Sequence, residues 1–474
     1  MTSKKPRPSQ SLNRAAEERE PGFNPRTLDR AVIAIPLLLD FEQEKKKGER
    51  IEHGVVIDLH LEFPGGRDKA RKHVESLVAK LPPRKRGEPK RHPLRHSSQY
   101  LYAKLYADEI RQLVKLDQAS STTASTDKRK GIFRIWPDFK VKPLLVKSVS
   151  TVKADAAHSS FAAFGENIVW AVVDSGIDGK HAHFEKHDNL DLGTKLDHYD
   201  FTLSDPLAQP ASRRSALKDE FGHGTHVAGI IAGALTGKKD VVRAAVFRWT
   251  EEGVTEAELE KHDGITGMAP KCKIVSMKVL DDEGAGTVFP VIQALDRIQE
   301  INGHGRRILI HGVNLSVGYD FEPEWFACGM SPLCVEVDRL VRSGVVVVVA
   351  AGNTGFGIVS TESLGDVKSG LALSINDPGN AELAITVGST HRDMPHTYGV
   401  SYFSSKGPTG DGRPKPDLLA PGEKILSCAA GAQKAKFVDE LSKKTFEYME
   451  QSGTSMAAPH VSGVIAAFLS IRRE

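Results

Sequence analysis

Short apolar runs alternate with amphipathic segments from about residue 150 onward in this 474-residue chain, and that alternation constrains the fold most. Apolar runs of about four to eight residues, bounded by glycine, proline and polar residues, are typical of buried strands. Strands that alternate with helices predict a doubly wound, mostly parallel α/β sheet. The candidate strands are residues 167–174, 273–280, 307–316, 344–351 and 383–388.

A serine lies at the start of the last apolar segment, within residues 453–460 (GTSMAAPH). The apolar periodicity that follows predicts a buried helix with Ser455 in its first turn. Free N–H groups and the helix dipole favour negative charge at such a position, so Ser455 is a candidate nucleophile. The alternative is an ordinary helix that starts with small residues.

Two upstream stretches contain the base and the orienting carboxylate that a serine nucleophile needs. Residues 222–230 (GHGTHVAGI) place His223 among glycines at the start of another small-residue helix. Residues 168–178 (IVWAVVDSGID) predict a strand that ends at Asp174. Catalytic groups of open α/β sheets collect at the carboxyl ends of strands, so Asp174 is a candidate third member of the site.

Three motifs in this chain resemble the signature motifs of the subtilisin-like serine proteases, in that family's order of Asp, His and Ser. They are VDSGI at 173–177, HGTHVAG at 223–229 and GTSMA at 453–457. The resemblance implies that Ser455 is the nucleophile, that His223 is the general base and that Asp174 orients the imidazole. His226, the second histidine of its motif, is expected to pack behind His223.

A fourth stretch, residues 350–353 (AAGN), resembles the oxyanion-hole segment of the same family. It implies that the Asn353 amide donates to the tetrahedral intermediate beside the Ser455 N–H. Further matching segments imply that a polypeptide substrate binds as an added extended strand through main-chain hydrogen bonds; an ordinary sheet edge is the alternative. The residues expected to bind substrate are Gly284, Ala285, Gly286, Leu315, Ser316, Val317, Gly318, Ala350 and Gly352.

The chain before the motifs predicts a second, smaller domain. We expect residues 1–30 to be disordered, 31–145 to form an α+β domain and 146–474 to form the catalytic domain. Within the α+β domain, strand, helix, strand, helix and strand follow one another, an order that resembles a subtilase propeptide. That resemblance implies a self-processing precursor, cleaved between about residues 139 and 150, whose N-terminal domain acts as an intramolecular inhibitor.

The charge distribution supports docking of these two parts. Residues 1–150 carry 32 basic and 19 acidic residues, a net charge of +13, whereas residues 151–474 carry 32 and 42, a net charge of −10. The basic residues are scattered rather than concentrated, so we do not expect nucleic acid as a partner. A nucleic-acid-binding N-terminal domain stays the alternative.

Several classes of protein and site are not expected from the sequence. No secretory signal pattern is seen and no apolar run approaches about 20 residues, so we expect a cytoplasmic chain without a membrane partner, although another route of secretion stays open. Cys328 and Cys334 are close enough in sequence to bridge a loop, but reduced thiols are the expectation for a cytosolic chain.

We expect no cofactor and no metal ligands. Calcium binding stays open without an assignable site, because the charged residues 238–263 replace the loop that holds calcium in many relatives. Glu251, Glu252 and Glu256 are expected on solvated helix faces. A cluster of four histidines follows Asp174 and invites a metal hypothesis, but a solvated or cleft-edge loop is the preferred interpretation. These histidines are His181, His183, His187 and His198.

The sequence therefore predicts a serine endopeptidase that works through an acyl-enzyme. The alternative is an inactive protein of the same fold that only binds peptides. The catalytic domain is expected to be short after Ser455, which would leave the outer face of its helix exposed.

Overall fold

The computed structural model describes residues 32–60, 62–84, 87–96, 100–120, 130–137, 147–236, 242–249, 255–320, 328–361, 365–438 and 445–472. The chain divides into two compact units, Met1–Lys140 and Val141–Glu474. The expected disordered segment 1–30 and most of the expected cleavage region lie outside the described residues. The predicted boundary between residues 145 and 146 lies there too, so the processing site stays a prediction.

The first unit is a four-stranded antiparallel sheet with helices packed on it. Alternate residues of its central strand, among them Val55 and Ile57, are buried and meet apolar side chains of two helices, such as Val74 and Leu113. The spatial strand order is β2-β3-β1-β4. The elements are α1 (Ile35–Lys47), β1 (Glu52–Leu59), α2 (Gly66–Ala79), β2 (Arg95–His96), β3 (Tyr100–Tyr106), α3 (Ala107–Ser120) and β4 (Ile132–Pro137).

The second unit is built around a seven-stranded sheet in which every pairing is parallel, as predicted. All five candidate strands are present. The spatial order is β17-β16-β13-β12-β5-β11-β6. The strands are β5 (Val169–Asp174), β6 (Tyr199–Asp200), β11 (Lys273–Lys278), β12 (Gly312–Leu315), β13 (Val346–Ala350), β16 (Ile385–His391) and β17 (Leu418–Glu423).

Helices cover both faces of this sheet, and each face has its own core. On one face Trp170 and Val172 of β5 pack with Val227 and Met456 of two helices. On the other face Ala171 and Val173 pack in a second cluster. The helices of this unit are α4 (Lys147–Thr151), α5 (Ala154–Phe161), α6 (Ala211–Ala216), α7 (His223–Ile231), α8 (Val288–Ile301), α9 (Pro332–Arg342), α10 (Pro395–Tyr398), α11 (Gly431–Val438) and α12 (Thr454–Ile471).

Within the described residues, the second unit also contains three smaller sheets. One of them corrects a prediction: the described part of the charged segment 238–263 forms antiparallel strands rather than helix. Glu256 is exposed on one of those strands, whereas Glu251 and Glu252 lie outside the described residues. The strands are β7 (Ala234–Thr236), β8 (Val242–Trp249), β9 (Thr255–His262), β10 (Gly264–Thr266), β14 (Phe356–Thr361), β15 (Gly365–Gly370), β18 (Ile425–Cys428) and β19 (Tyr448–Gln451).

Helix α12 is the predicted helix of the candidate nucleophile. Its inner residues, such as Ala457 and Ala466, are buried, while Val464, Phe468 and Ile471 are exposed on the other face. By length and composition alone α12 could cross a membrane, but 56% of it is buried inside the structure. The core helix of a globular protein passes the same test, so this is weak evidence for a membrane span.

Candidate active site

The candidate residues converge where strands of the parallel sheet end. Strand β5 ends at Asp174, β13 ends three residues before Asn353, and β12 ends one residue before Ser316. His223 is the first residue of α7 and Ser455 the second of α12. Since the carboxyl ends of parallel strands lie along one edge, strand ends and helix starts meet there.

Asp174 and His223 form a direct hydrogen bond. The imidazole Nδ1 donates to the Asp174 Oδ1 at 2.8 Å, and the Ser175 N–H donates to the same oxygen at 2.8 Å. The carboxylate is fully buried, while 16% of the His223 side chain is exposed. The bond fixes the tautomer that leaves Nε2 free to accept a proton.

The electrostatic surroundings of His223 favour its protonated form. Burial alone would lower the pKa of the imidazole, but the charge and hydrogen bond of Asp174 outweigh burial and raise the pKa above its ordinary value. The charge of Asp219 acts in the same direction. An imidazole in this environment is a good acceptor for the proton of a nucleophile.

Ser455 lies half-buried at the head of α12. Its hydroxyl donates to the Ser316 carbonyl oxygen at 3.2 Å rather than to His223, and the Ser316 hydroxyl donates back to the Ser455 carbonyl oxygen at 2.9 Å. Ser455 and His223 line the same cleft. A rotation of the hydroxyl toward Nε2 is therefore the step that would complete the proton path.

Asn353 is held with its amide in a defined orientation. Its side-chain oxygen accepts from the Thr454 N–H at 2.8 Å and from the Thr454 hydroxyl at 3.1 Å. The NH2 end consequently turns away from Thr454, and it would lie 3.4 Å from a Cβ placed on Gly453. Asn353 is exposed to the cleft beside Ser455, where a donor can reach a developing oxyanion.

These side chains border a cleft of about 520 Å³. Most of the predicted substrate-binding residues line it, namely Gly284, Gly286, Ser316, Val317, Gly318, Ala350 and Gly352. The cleft is also lined by five residues that the sequence does not predict as site residues, namely Phe221, Leu280, Thr354, Asn376 and Thr454. Four of them lie in loops without a sequence pattern of their own, whereas Thr454 belongs to the motif GTSMA and is the first residue of α12.

Two predicted substrate-binding residues are not on the cleft wall. Leu315 is fully buried in the core beneath the sheet edge, because it is the last inward-facing residue of β12. Ala285 is exposed, but its backbone N–H and carbonyl oxygen both bond to Asp281 at 2.8 Å. Both main-chain groups of Ala285 are thus already hydrogen-bonded within this turn.

Most of the other histidines near the motifs are buried. His181, His183 and His198 are 8% exposed or less, so the expectation of a solvated loop is wrong for them. His226 is fully buried and its Nε2 donates to the Met449 carbonyl oxygen at 3.1 Å, so it lies behind His223. His183 bonds to the Ala232 carbonyl oxygen and to the Tyr448 hydroxyl, and His181 bonds to the Glu447 carbonyl oxygen. Within the described residues, no group of three or more histidine, cysteine or acidic residues is placed to hold a metal ion.

Comparisons with known proteins identify the family of this chain. The model of the subtilase family matches residues 165–473. The serine protease AprX of Bacillus subtilis is 27% identical over 71% of this chain and 65% of its own length. Pyrolysin of Pyrococcus furiosus is 31% identical over 53% of this chain but only 18% of its own.

Two further proteins are similar to this chain. Subtilisin E of Bacillus subtilis is 27% identical over 68% of this chain and 60% of its own length. The crystal structure of a cold adapted subtilisin-like serine proteinase matches with 26% identity and a TM-score of 0.40, covering 65% of this chain and 77% of the other. The match thus spans less than two thirds of each of the three named relatives. The family model covers more than half of the chain, and the chain therefore belongs to the subtilase family.

Proposed function

We propose that this protein is a serine endopeptidase in which Ser455, His223 and Asp174 act as the catalytic triad. The observation that carries the proposal is the 2.8 Å bond between Asp174 and His223 in the cleft that also contains Ser455 and Asn353. Membership of the subtilase family supports the same activity.

In the proposed mechanism, the Ser455 Oγ attacks the carbonyl carbon of the scissile bond while its proton passes to the His223 Nε2. The oxyanion of the tetrahedral intermediate accepts from the Asn353 amide and the Ser455 N–H. His223 then returns the proton to the leaving amine, and an acyl-enzyme remains. Water attacks the acyl-enzyme by the same route in reverse, which releases the acid and restores the serine.

The cleft supports a polypeptide substrate in an extended conformation. Gly284 and Gly286 lie along one part of the wall and Ser316 and Gly318 along another, and residues without large side chains leave backbone groups accessible. The described lining contains no carboxylate that would select a basic side chain. The described lining contains no lysine or arginine that would select an acidic side chain either, and we therefore propose cleavage after uncharged residues.

Hydrolysis of a chromogenic peptide tests the proposed activity. We expect the full chain to release the chromophore and Ser455→Ala to lose that activity. Ser470→Ala is the matched control, because Ser470 lies on the same helix and its hydroxyl only bonds the Ala467 carbonyl oxygen and the Gly165 N–H. A folded chain that binds the peptide without cleaving it would instead support the peptide-binding alternative.

We propose further that the first unit is an inhibitory propeptide removed by the second. This assignment is supported by the order of β1, α2, β3, α3 and β4, to which the structure adds α1 before β1 and the two-residue strand β2 between α2 and β3. The intact mass after purification tests it: the native chain should lose roughly its first 140 residues, whereas Ser455→Ala should stay whole. If both lose the segment, another protease removes it; if neither does, the self-processing proposal is wrong.

A further inference from the structure

A second buried carboxylate, Asp219, lies four residues before His223 in the loop that leads into α7. It is 5% exposed. Its Oδ1 accepts from the Gly222 N–H at 2.7 Å and from the Ser175 hydroxyl at 2.9 Å. Its Oδ2 accepts from the Thr225 N–H at 2.8 Å and from the Thr225 hydroxyl at 2.6 Å.

These four bonds indicate that Asp219 is ionised. The two backbone N–H groups can only donate. The Thr225 hydroxyl already accepts from the Asp178 N–H at 2.9 Å, and the Ser175 hydroxyl already accepts from the Gly224 N–H at 2.9 Å, so both hydroxyl protons go to Asp219. Although burial raises the pKa of this carboxyl, the donors around it favour the charged form.

The same bonds connect the two elements that carry the triad. Ser175 directly follows Asp174 at the end of β5, and Gly222 and Thr225 flank His223 at the head of α7. A Cβ on Gly224 would lie 2.2 Å from the Gly176 carbonyl oxygen, so these two elements are already in close contact. Asp219 therefore joins the chain beside Asp174 to the chain on both sides of His223.

We propose that Asp219 is a positioning residue, which holds Asp174 and His223 in register and whose charge stabilises the imidazolium that forms when Ser455 gives up its proton. This role rests on the proposed function. The charged and titratable groups that act on His223 are Asp174 from β5, Asp219 from the preceding loop and His226 from α7 itself. His226 stays neutral, because burial lowers its pKa to about 3.

The first test measures the titration midpoint of His223 by NMR in the full chain carrying Ser455→Ala, which needs no catalytic activity. Asp219→Asn keeps the shape but removes the charge and one acceptor, so the midpoint should move to lower pH. Asp338→Asn is the matched control: Asp338 is also buried and accepts from the Leu383 N–H at 2.9 Å, but it lies on α9. This control should leave the midpoint unchanged.

The second test measures kcat and KM with Ser455 intact. Asp219→Asn should lower kcat on the order of tenfold to a hundredfold with little change in KM, because the reacting groups lose their alignment. Ser175→Ala removes the link from Asp219 to Gly224 but keeps the charge. It should lower kcat while the pH midpoint of the rate stays near that of the native chain.

Distinct results separate this proposal from the proposed function. An unchanged His223 midpoint in a folded Asp219→Asn chain would overturn the role of the charge, whether or not the native chain hydrolyses peptides. If Asp219→Asn does not fold, a native kcat in Ser175→Ala overturns the positioning role. A native chain without any hydrolysis contradicts the proposed function, and the NMR comparison still decides the charge effect of Asp219.

Discussion

At the scale of single residues, Asn353 has two roles because its side-chain amide carries both an acceptor and a donor. Its oxygen is used by Thr454, and its NH2 group is left for the cleft. A carboxylate could replace the oxygen but not the donor. The residue thus links the loop after β13 to the head of α12 while it offers a donor to the reaction.

Asn353→Asp separates these two roles. It keeps an acceptor for Thr454 and removes the donor, so we expect kcat to fall by about a hundredfold to a thousandfold with little change in KM. Steady-state kinetics on a peptide substrate measure this. Asn302→Asp is the control, since Asn302 is buried away from the cleft, its oxygen accepts from the Leu309 and Ile310 N–H groups and its NH2 donates only to a backbone carbonyl oxygen within the described residues. Equal losses in the two variants would contradict the role of Asn353.

The raised pKa of His223 predicts the acid limb of the pH profile. The base must be neutral to take the Ser455 proton, so the rate falls as the pH drops through the pKa of His223. Because Asp174 raises that pKa, the midpoint of kcat/KM should lie above the ordinary value of about 6.5. A profile that stays flat well below pH 6.5 would contradict the assignment of His223 as the base.

Motifs alone predicted the four residues Asp174, His223, Asn353 and Ser455, since their chemistry requires these residue types. They could not reveal Asp219. Its neighbour Glu220 is also acidic, yet the Glu220 side chain is 44% exposed and pairs with Lys218 at the surface. Which of two adjacent carboxylates turns inward depends on the loop path, and no local pattern encodes that path.

At the scale of secondary structure, the parallel strands were predictable because both their faces are buried. β13, with its uninterrupted valines, is an example. The antiparallel strands of the charged segment were not predicted from the sequence. Strand β9 carries Glu256, Glu258 and Glu260 on a face exposed to solvent, and their partner strand β8 supplies Arg248. The opposite face of β9, with Ala257 and Leu259, is only partly buried against a small cluster around Ala245. So short an alternation of charged and apolar residues does not distinguish a strand from a charged helix in the sequence.

Helix α1 lies within residues 31–53, where the sequence is ambiguous and predicts no element, although signals for a helix exist there. A proline stands in its first turn, lysines occupy its last turn, and Gly48 ends it with a φ of 69°. Pro36 interrupts the apolar run, and that interruption obscured the helix. A proline near a helix start costs little, because the N–H it lacks has no partner there.

The contact between α7 and β5 predicts that Gly224 tolerates no side chain. In Gly224→Ala the new methyl group would meet the Gly176 carbonyl oxygen at 2.2 Å and the Asp174 Cβ at 3.1 Å. We expect the melting temperature to fall by several degrees, as for an overpacked core, and kcat to fall with it.

Gly370→Ala is the control for that prediction. There the new methyl group would meet only the flexible end of Lys406, at 3.4 Å, and the Gly355 carbonyl oxygen at 3.9 Å. Calorimetry of both variants in the Ser455→Ala chain measures the difference. If Gly224→Ala melts at the temperature of its parent, α7 and β5 are not packed as described.

At the scale of the whole molecule, buried neutral histidines predict acid sensitivity of the second unit. Burial lowers the pKa of His183 and His226 to about 3 and of His198 and His460 to about 4. Unfolding exposes these rings and returns their pKa values to about 6.5. Below that pH the unfolded chain therefore binds protons that the folded chain does not.

The direction in which stability changes with pH follows from this difference in bound protons between the unfolded and the folded chain. The stabilisation from each ring is complete above about pH 6.5 and is lost as the pH falls toward the folded pKa, at up to about 1.4 kcal/mol per pH unit. His223 acts in the opposite direction, because its pKa is raised in the folded chain, but it is one group against the four histidines with lowered pKa values. Urea unfolding of the Ser455→Ala chain between about pH 7 and pH 5 should show a falling free energy of unfolding. A constant value would contradict the burial of these rings.

The most direct test of the central claim is covalent labelling of the native chain with a fluorophosphonate, followed by mapping of the modified residue by mass spectrometry. A working triad predicts one label per active chain, on Ser455, and a labelling rate that drops on the order of a hundredfold to ten-thousandfold in His223→Ala. The same label on a folded, propeptide-free chain should appear at Ser455 alone among the serines. No label at Ser455 in such a chain, or equal labelling of His223→Ala, would contradict a working triad.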